Sequence, residues 1–140
     1  MLPRRSEHPS PFWRWMWLSA VVHNAVGVAG FLVGHDAAFA RYGLPVPGVF
    51  YDVWIGFVAI FAFAYWLIYR DPQGTRHLVV LAIMAKLASA TPQLVHLLLD
   101  PSALPSFFWV PIGTDTTYAL LFFLFLRRLC RPDPGRNGAD

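Results

Sequence analysis

The sequence predicts an all-α protein: a transmembrane four-helix bundle running up-down-up-down, with both termini on the cytoplasmic side. Three observations predict it. Of the 140 residues, 56% are hydrophobic and only 14% charged, against about 25% charged in an ordinary soluble domain. The apolar residues gather in four stretches of membrane-spanning length. The basic residues flank those stretches and fall almost entirely on one side. Four spans of about 20 residues with short loops use nearly the whole chain, which leaves no room for a soluble catalytic domain.

After a cytoplasmic segment over residues 1–11, the first stretch runs over 12–33. Arg14 interrupts it early, and Trp13, Trp15 and Trp17 stand at its start, as aromatic residues do at a headgroup boundary. A cleaved signal peptide ending near Ala38-Phe39-Ala40 is the competing reading. The run of about 20 apolar residues exceeds the 7 to 15 of a signal-peptide core, which favours a retained helix. The second stretch covers 49–69, the third 78–99 and the fourth 107–126. At 1.5 Å per residue each crosses a hydrocarbon core about 30 Å thick. The segments between them, 35–48, 70–77 and 100–106, are rich in Pro, Gly and Asp, as loops are. The transmembrane domain thus spans 12–128, followed by a cytoplasmic tail over 129–140 that is expected to be disordered.

Charge sets the orientation. Ten of the eleven basic residues are Arg, and nine of those fall on one side: Arg4, Arg5, Arg14, Arg70, Arg76, Arg127, Arg128, Arg131 and Arg136. Arg41 alone lies on the other. The positive-inside rule then places both termini inside. This distribution is a topology signal, so nucleic acid is not an expected partner and the lipid bilayer is. One cysteine, Cys130, excludes an intrachain disulfide and with it any redox chemistry that needs a cysteine pair.

Within the apolar stretches, polar groups reach one level. The only lysine, Lys86, lies nine residues past His77, or roughly 13 Å above the cytoplasmic boundary. Asp115 lies twelve residues before Arg127, or roughly 18 Å above it, an offset a lysine stem covers. His23 and Asn24, ten residues beyond Trp13, also reach mid-bilayer. Faces agree with depths. Ala82, Lys86, Ser89, Gln93 and His96 recur at helical spacing on the third stretch, and Ser19, His23, Gly27, Gly30 and Gly34 on the first, where the glycines permit close approach. Asp52, Gly56 and Ala59 form a shorter stripe on the second, and Thr114 and Thr117 accompany Asp115 on the fourth. Pro92 frees the carbonyl of Ala88 and is expected to bend the third helix near Lys86. Intramembrane charges cost about 2.5 to 3.5 kcal/mol each on insertion scales, so Lys86 and Asp115 are expected to pair. That pair serves either to fix helix register or to form a site. Gln93, Ser89 and Asn24 complete the candidate cluster, with helix-to-helix bonding as their plainer role. His23 and His96 differ too much in depth to share a metal, and none is expected.

Arg41-Tyr42-Gly43-Leu44-Pro45 with Pro47, Arg70-Asp71-Pro72 with Arg76, Lys86-Leu87, and Asp115 followed by Ala119-Leu120-Leu121-Phe122 and Phe125-Leu126-Arg127 form a pattern. It resembles a group of small bacterial four-helix membrane proteins, broadly DoxX-like, over residues from about 13 to 128. The resemblance implies a multi-pass protein of the bacterial plasma (inner) membrane, where some DoxX-like proteins are linked to quinone or thiol redox partners. It carries no activity onto particular residues.

Three functions fit these features. The first is a non-enzymatic subunit or binder of a hydrophobic ligand, a quinone or lipid, held at Lys86, Asp115 and His23, with a membrane redox partner or a second copy as its associate. An intramembrane isomerase or oxidoreductase would use Lys86 or His23 for proton transfer and Asp115 to orient it. A proton-coupled transporter would titrate Asp115 and, with only four helices, would act as a homodimer.

Overall fold

The computed structural model describes residues 10–43, 45, 48–101 and 108–130, with backbone alone at 35, 38 and 50. Four helices follow one another: α1 (Pro11–Arg41), α2 (Val49–Arg70), α3 (Arg76–Leu99) and α4 (Trp109–Leu129). Each contains a segment long and apolar enough to cross a membrane. In lipid the backbone finds no outside hydrogen-bond partner, and a helix satisfies every peptide group internally, which is why apolar runs of this length coil. The fold is all-α, four apolar helices compatible with a transmembrane bundle. The N-terminal tail to residue 9, the C-terminal tail from 131 and the segment 102–107 lie outside the described residues, so the expected disorder of the tail does too.

The chain divides between Thr75 and Arg76 into two units, an α1–α2 hairpin and an α3–α4 hairpin. In the first, partners run antiparallel. Trp17 meets Tyr65 with ring centroids 5.8 Å apart, Asn24 meets Val58, Phe31 meets Trp54 at 5.5 Å and Phe39 meets Tyr51 at 5.7 Å. Met16, Trp17, Ala20, Ile55, Tyr65 and Ile68 are its buried apolar residues. The second hairpin buries Val79, Ala82, Ala90 and Leu97 of α3 and Ile112, Ala119, Phe122 and Phe125 of α4. Small alanines and large phenylalanines are buried together in this hairpin, and close packing of this kind holds helices together where lipid removes the hydrophobic drive.

Helix boundaries have local causes. Helix α1 runs two turns past its expected end at residue 33 and includes 35–41, a segment expected as loop. Asp36, Ala37 and Ala40 are not apolar enough for lipid but remain compatible with helix. It stops where Gly43 takes φ 65°, with its N–H donating to the Ala40 carbonyl, a left-handed cap that favours glycine. Helix α3 passes through Pro92 as one unbroken element. Between the hairpins, the Asp71 carboxylate accepts the Gly74 N–H at 2.9 Å, and the Asp71 carbonyl accepts the Thr75 hydroxyl and, at 3.1 Å, the Thr75 N–H. A Cβ at Gly74 would collide with the Asp71 carboxylate.

Candidate functional site

The site begins with α3. Lys86 lies near its middle, on the side that carries Ala82 and Ala90, four residues away in either direction. That spacing stacks all three on one face, and the two alanines leave room for the long lysine stem. Asp115 occupies the matching face of α4 between Ile112 and Ala119. Lys86 Nζ donates to Asp115 Oδ1 at 2.6 Å. Lys86 is 6% and Asp115 7% exposed, so the pair is enclosed by protein before any lipid is considered. Among the described residues, Asp115 has no hydrogen-bond donor other than Lys86. A carboxylate offers about four lone-pair sites, so one ammonium contact does not exhaust it.

Tyr118 completes the local group. The Lys86 ammonium lies 5.5 Å from the Tyr118 ring centroid, within the roughly 6 Å over which a ring face attracts a cation. Tyr118 in turn sits against Phe122, centroids 5.6 Å apart. The sequence reading missed this residue. Its signal was position: Tyr118 follows Asp115 by three residues and therefore shares its face.

The other expected members are placed differently. Ser89 and Gln93 are half-buried beside the Lys86 face, and His96 is exposed. Gln93 Nε2 donates to the Ser89 carbonyl at 2.9 Å and lies 3.4 Å from its hydroxyl. This local bond goes to the Ser89 carbonyl and not to the Ala88 carbonyl that Pro92 frees. Among the described residues, the Gln93 side-chain oxygen Oε1 is buried without a hydrogen-bond partner. Thr114 and Thr117 bond back to the carbonyls of Pro111 and Gly113 on their own helix, at 3.1 and 2.7 Å.

His23 and Asn24 belong to the other hairpin. Asn24 is buried and donates through Nδ2 to the Val58 carbonyl at 3.3 Å, a bond from α1 to α2. His23 is exposed within its unit. Helix α1 meets α2 through Trp17, Asn24, Phe31 and Phe39, whereas Ser19, His23 and Gly30 are exposed and Gly27 and Gly34 half-buried. A Cβ at any of these three glycines would meet nothing within 4 Å, so the close approach expected of them is not made to α2. Asp52, Gly56 and Ala59 are likewise exposed on α2. The structure thus unites Lys86, Asp115 and Tyr118 on one hairpin and fixes Asn24 on the other.

Comparison with protein-family models, curated proteins and solved structures finds no match to this chain.

Proposed function

We propose that the protein is a non-enzymatic, DoxX-like subunit of the bacterial plasma membrane that binds a hydrophobic molecule with a hydroxyl-bearing head, a quinol or a lipid, at Lys86 and Asp115. One observation supports this reading: an ion pair is buried between two membrane-length helices, and its carboxylate keeps unused acceptor capacity. Two charges at mid-membrane cost about 2.5 to 3.5 kcal/mol each before pairing. Pairing offsets part of that, and a ligand hydroxyl donating to Asp115 adds a further bond while the ligand's tail stays in lipid. Proton-transfer catalysis fits less well, because an acid and base bonded to each other must separate before either reaches a substrate. Transport by a homodimer, with both termini inside, has no observation of its own in favour.

The directness of the 2.6 Å bond favours a second reading, in which the pair locks the register of α3 against α4. Thermal unfolding in detergent separates the two, with a short-chain benzoquinol as probe. A ligand that binds only the folded state raises Tm with concentration. The expected result is a rise for the wild type, a smaller one with the oxidised quinone, which has no hydroxyl to donate, and none for Asp115→Asn. A wild type indifferent to quinol, together with a Lys86→Met/Asp115→Leu double variant as stable as the parent, would leave the register lock standing alone.

A further inference from the structure

At the end of the α1–α2 hairpin, remote in sequence from Lys86 and Asp115, two arginines are held by aromatic rings. Arg14, in the first turn of α1, donates through Nη2 to the Tyr69 hydroxyl at 3.2 Å, and its guanidinium carbon lies 5.4 Å from the Tyr69 ring centroid. Arg70, the last residue of α2, has its guanidinium carbon 5.2 Å from the Trp66 ring centroid. Trp66, Tyr69 and Arg70 are three and four residues apart, so one stretch of α2 surface carries them. Arg14 joins it because the helices run antiparallel. Both arginines are exposed, and among the described residues neither has a carboxylate partner. The acidic neighbour in sequence, Asp71, has its carboxylate bonded to the Gly74 N–H.

We infer that this end of the hairpin is a binding site for the phosphate of an anionic glycerophospholipid. A guanidinium has five N–H donors in a fixed planar fork. An aromatic ring orients that fork, and Arg14 spends one donor on Tyr69. Both side chains are exposed, so their remaining N–H groups are accessible, and paired N–H groups match two oxygens of one phosphate. Both arginines stand at the same end of apolar segments that begin at Pro11 and finish at Arg70. That end lies at headgroup depth, where Trp and Tyr rings settle. Two positive charges, neither ion-paired among the described residues, select a lipid with net negative charge over a zwitterionic one, whose choline or ammonium they repel.

The test is native mass spectrometry of the full chain in detergent, titrated with phosphatidylglycerol and, separately, phosphatidylcholine. Arg14→Gln/Arg70→Gln should weaken phosphatidylglycerol binding at least about ten-fold, at about one tenfold step per 1.4 kcal/mol and about 1 kcal/mol per arginine near the surface. Arg127→Gln/Arg128→Gln removes equal charge from the other hairpin, away from the ring-held guanidiniums, and should weaken it less than the first pair does. Arg14→Lys/Arg70→Lys keeps the charge but loses the fork, and should lose a substantial part of the preference. Equal losses for the two Gln pairs would overturn the inference, since net charge alone would then act. A Lys pair indistinguishable from wild type would overturn it on the same ground. Displacement of the lipid by millimolar inorganic phosphate would make this a free-anion site, not a lipid site. Circular dichroism of each variant shows whether the helices persist.

Discussion

In the α1–α2 hairpin the helices meet through aromatic rings along most of their length, whereas in the α3–α4 hairpin they meet around one ion pair. Both face the same physical problem. Lipid tails are as apolar as the side chains, so burying those side chains against each other gains little from solvent transfer, and dispersion and polar bonds must hold the helices. The first hairpin distributes that work over Trp17, Tyr65, Phe31 and Trp54 and puts its arginine contact at the end, at Tyr69. The second concentrates its polar bonding at Lys86 and Asp115, within apolar packing that runs from Val79 to Leu97 and from Ile112 to Phe125. A distributed interface tolerates a single loss. A concentrated one fails at one residue, and is also the one a polar ligand can address.

That contrast is open to attack by mutation. The largest effect is expected for Asp115→Leu, which strands the Lys86 ammonium inside the α3–α4 hairpin and should cost about 3 to 5 kcal/mol. Thermal unfolding in detergent measures it, and adding Lys86→Met should return most of the loss. A single variant as stable as the parent would mean that Lys86 finds water or another partner, and the contrast would collapse. Next is Tyr65→Ala in the aromatic hairpin. It should cost about 2 kcal/mol, the low end for a large-to-small core change, because the transfer part of that penalty is muted in lipid. A loss as large as that of Asp115→Leu would show that this hairpin too depends on one residue. The smallest effect is expected for Asn24→Leu, at about 0.6 kcal/mol for one interhelical hydrogen bond within a membrane. A change beyond about 1.7 kcal/mol, the largest such bond in the reference series, would reveal a second role for Asn24.

Much of the fold could be read from the sequence, because span length and residue chemistry both answer to the bilayer. Helices α2 and α3 match their expected limits within two residues, and α4 within three. The exception, α1, teaches why. Hydropathy marks where lipid ends, near Gly34, whereas a helix ends where the backbone is made to turn, at Gly43. The pairing of Lys86 with Asp115 followed from cost, since neither is affordable alone. Tyr118 did not follow, because aromatic residues make up 16% of this chain, and lipid contact explains any one of them. The inward face assigned to α1 by its glycines is not the one on α2. Small residues merely permit contact, while Trp17, with its large ring, generates it. The Arg14 and Tyr69 contact was hidden for another reason: it joins residues 55 positions apart, and only a hairpin register reveals it.

The extra length of α1 sets how far its last charge stands from its apolar segment. Arg41 is seven residues past Gly34, so the helix carries it about 10 Å farther along its axis. That exceeds the Debye length of about 8 Å at physiological ionic strength. The Arg41 charge is therefore largely screened by salt from the end of the apolar segment of its own helix. A rigid extension of two turns thus works as a spacer, holding a basic side chain at a fixed distance from the apolar segment it follows.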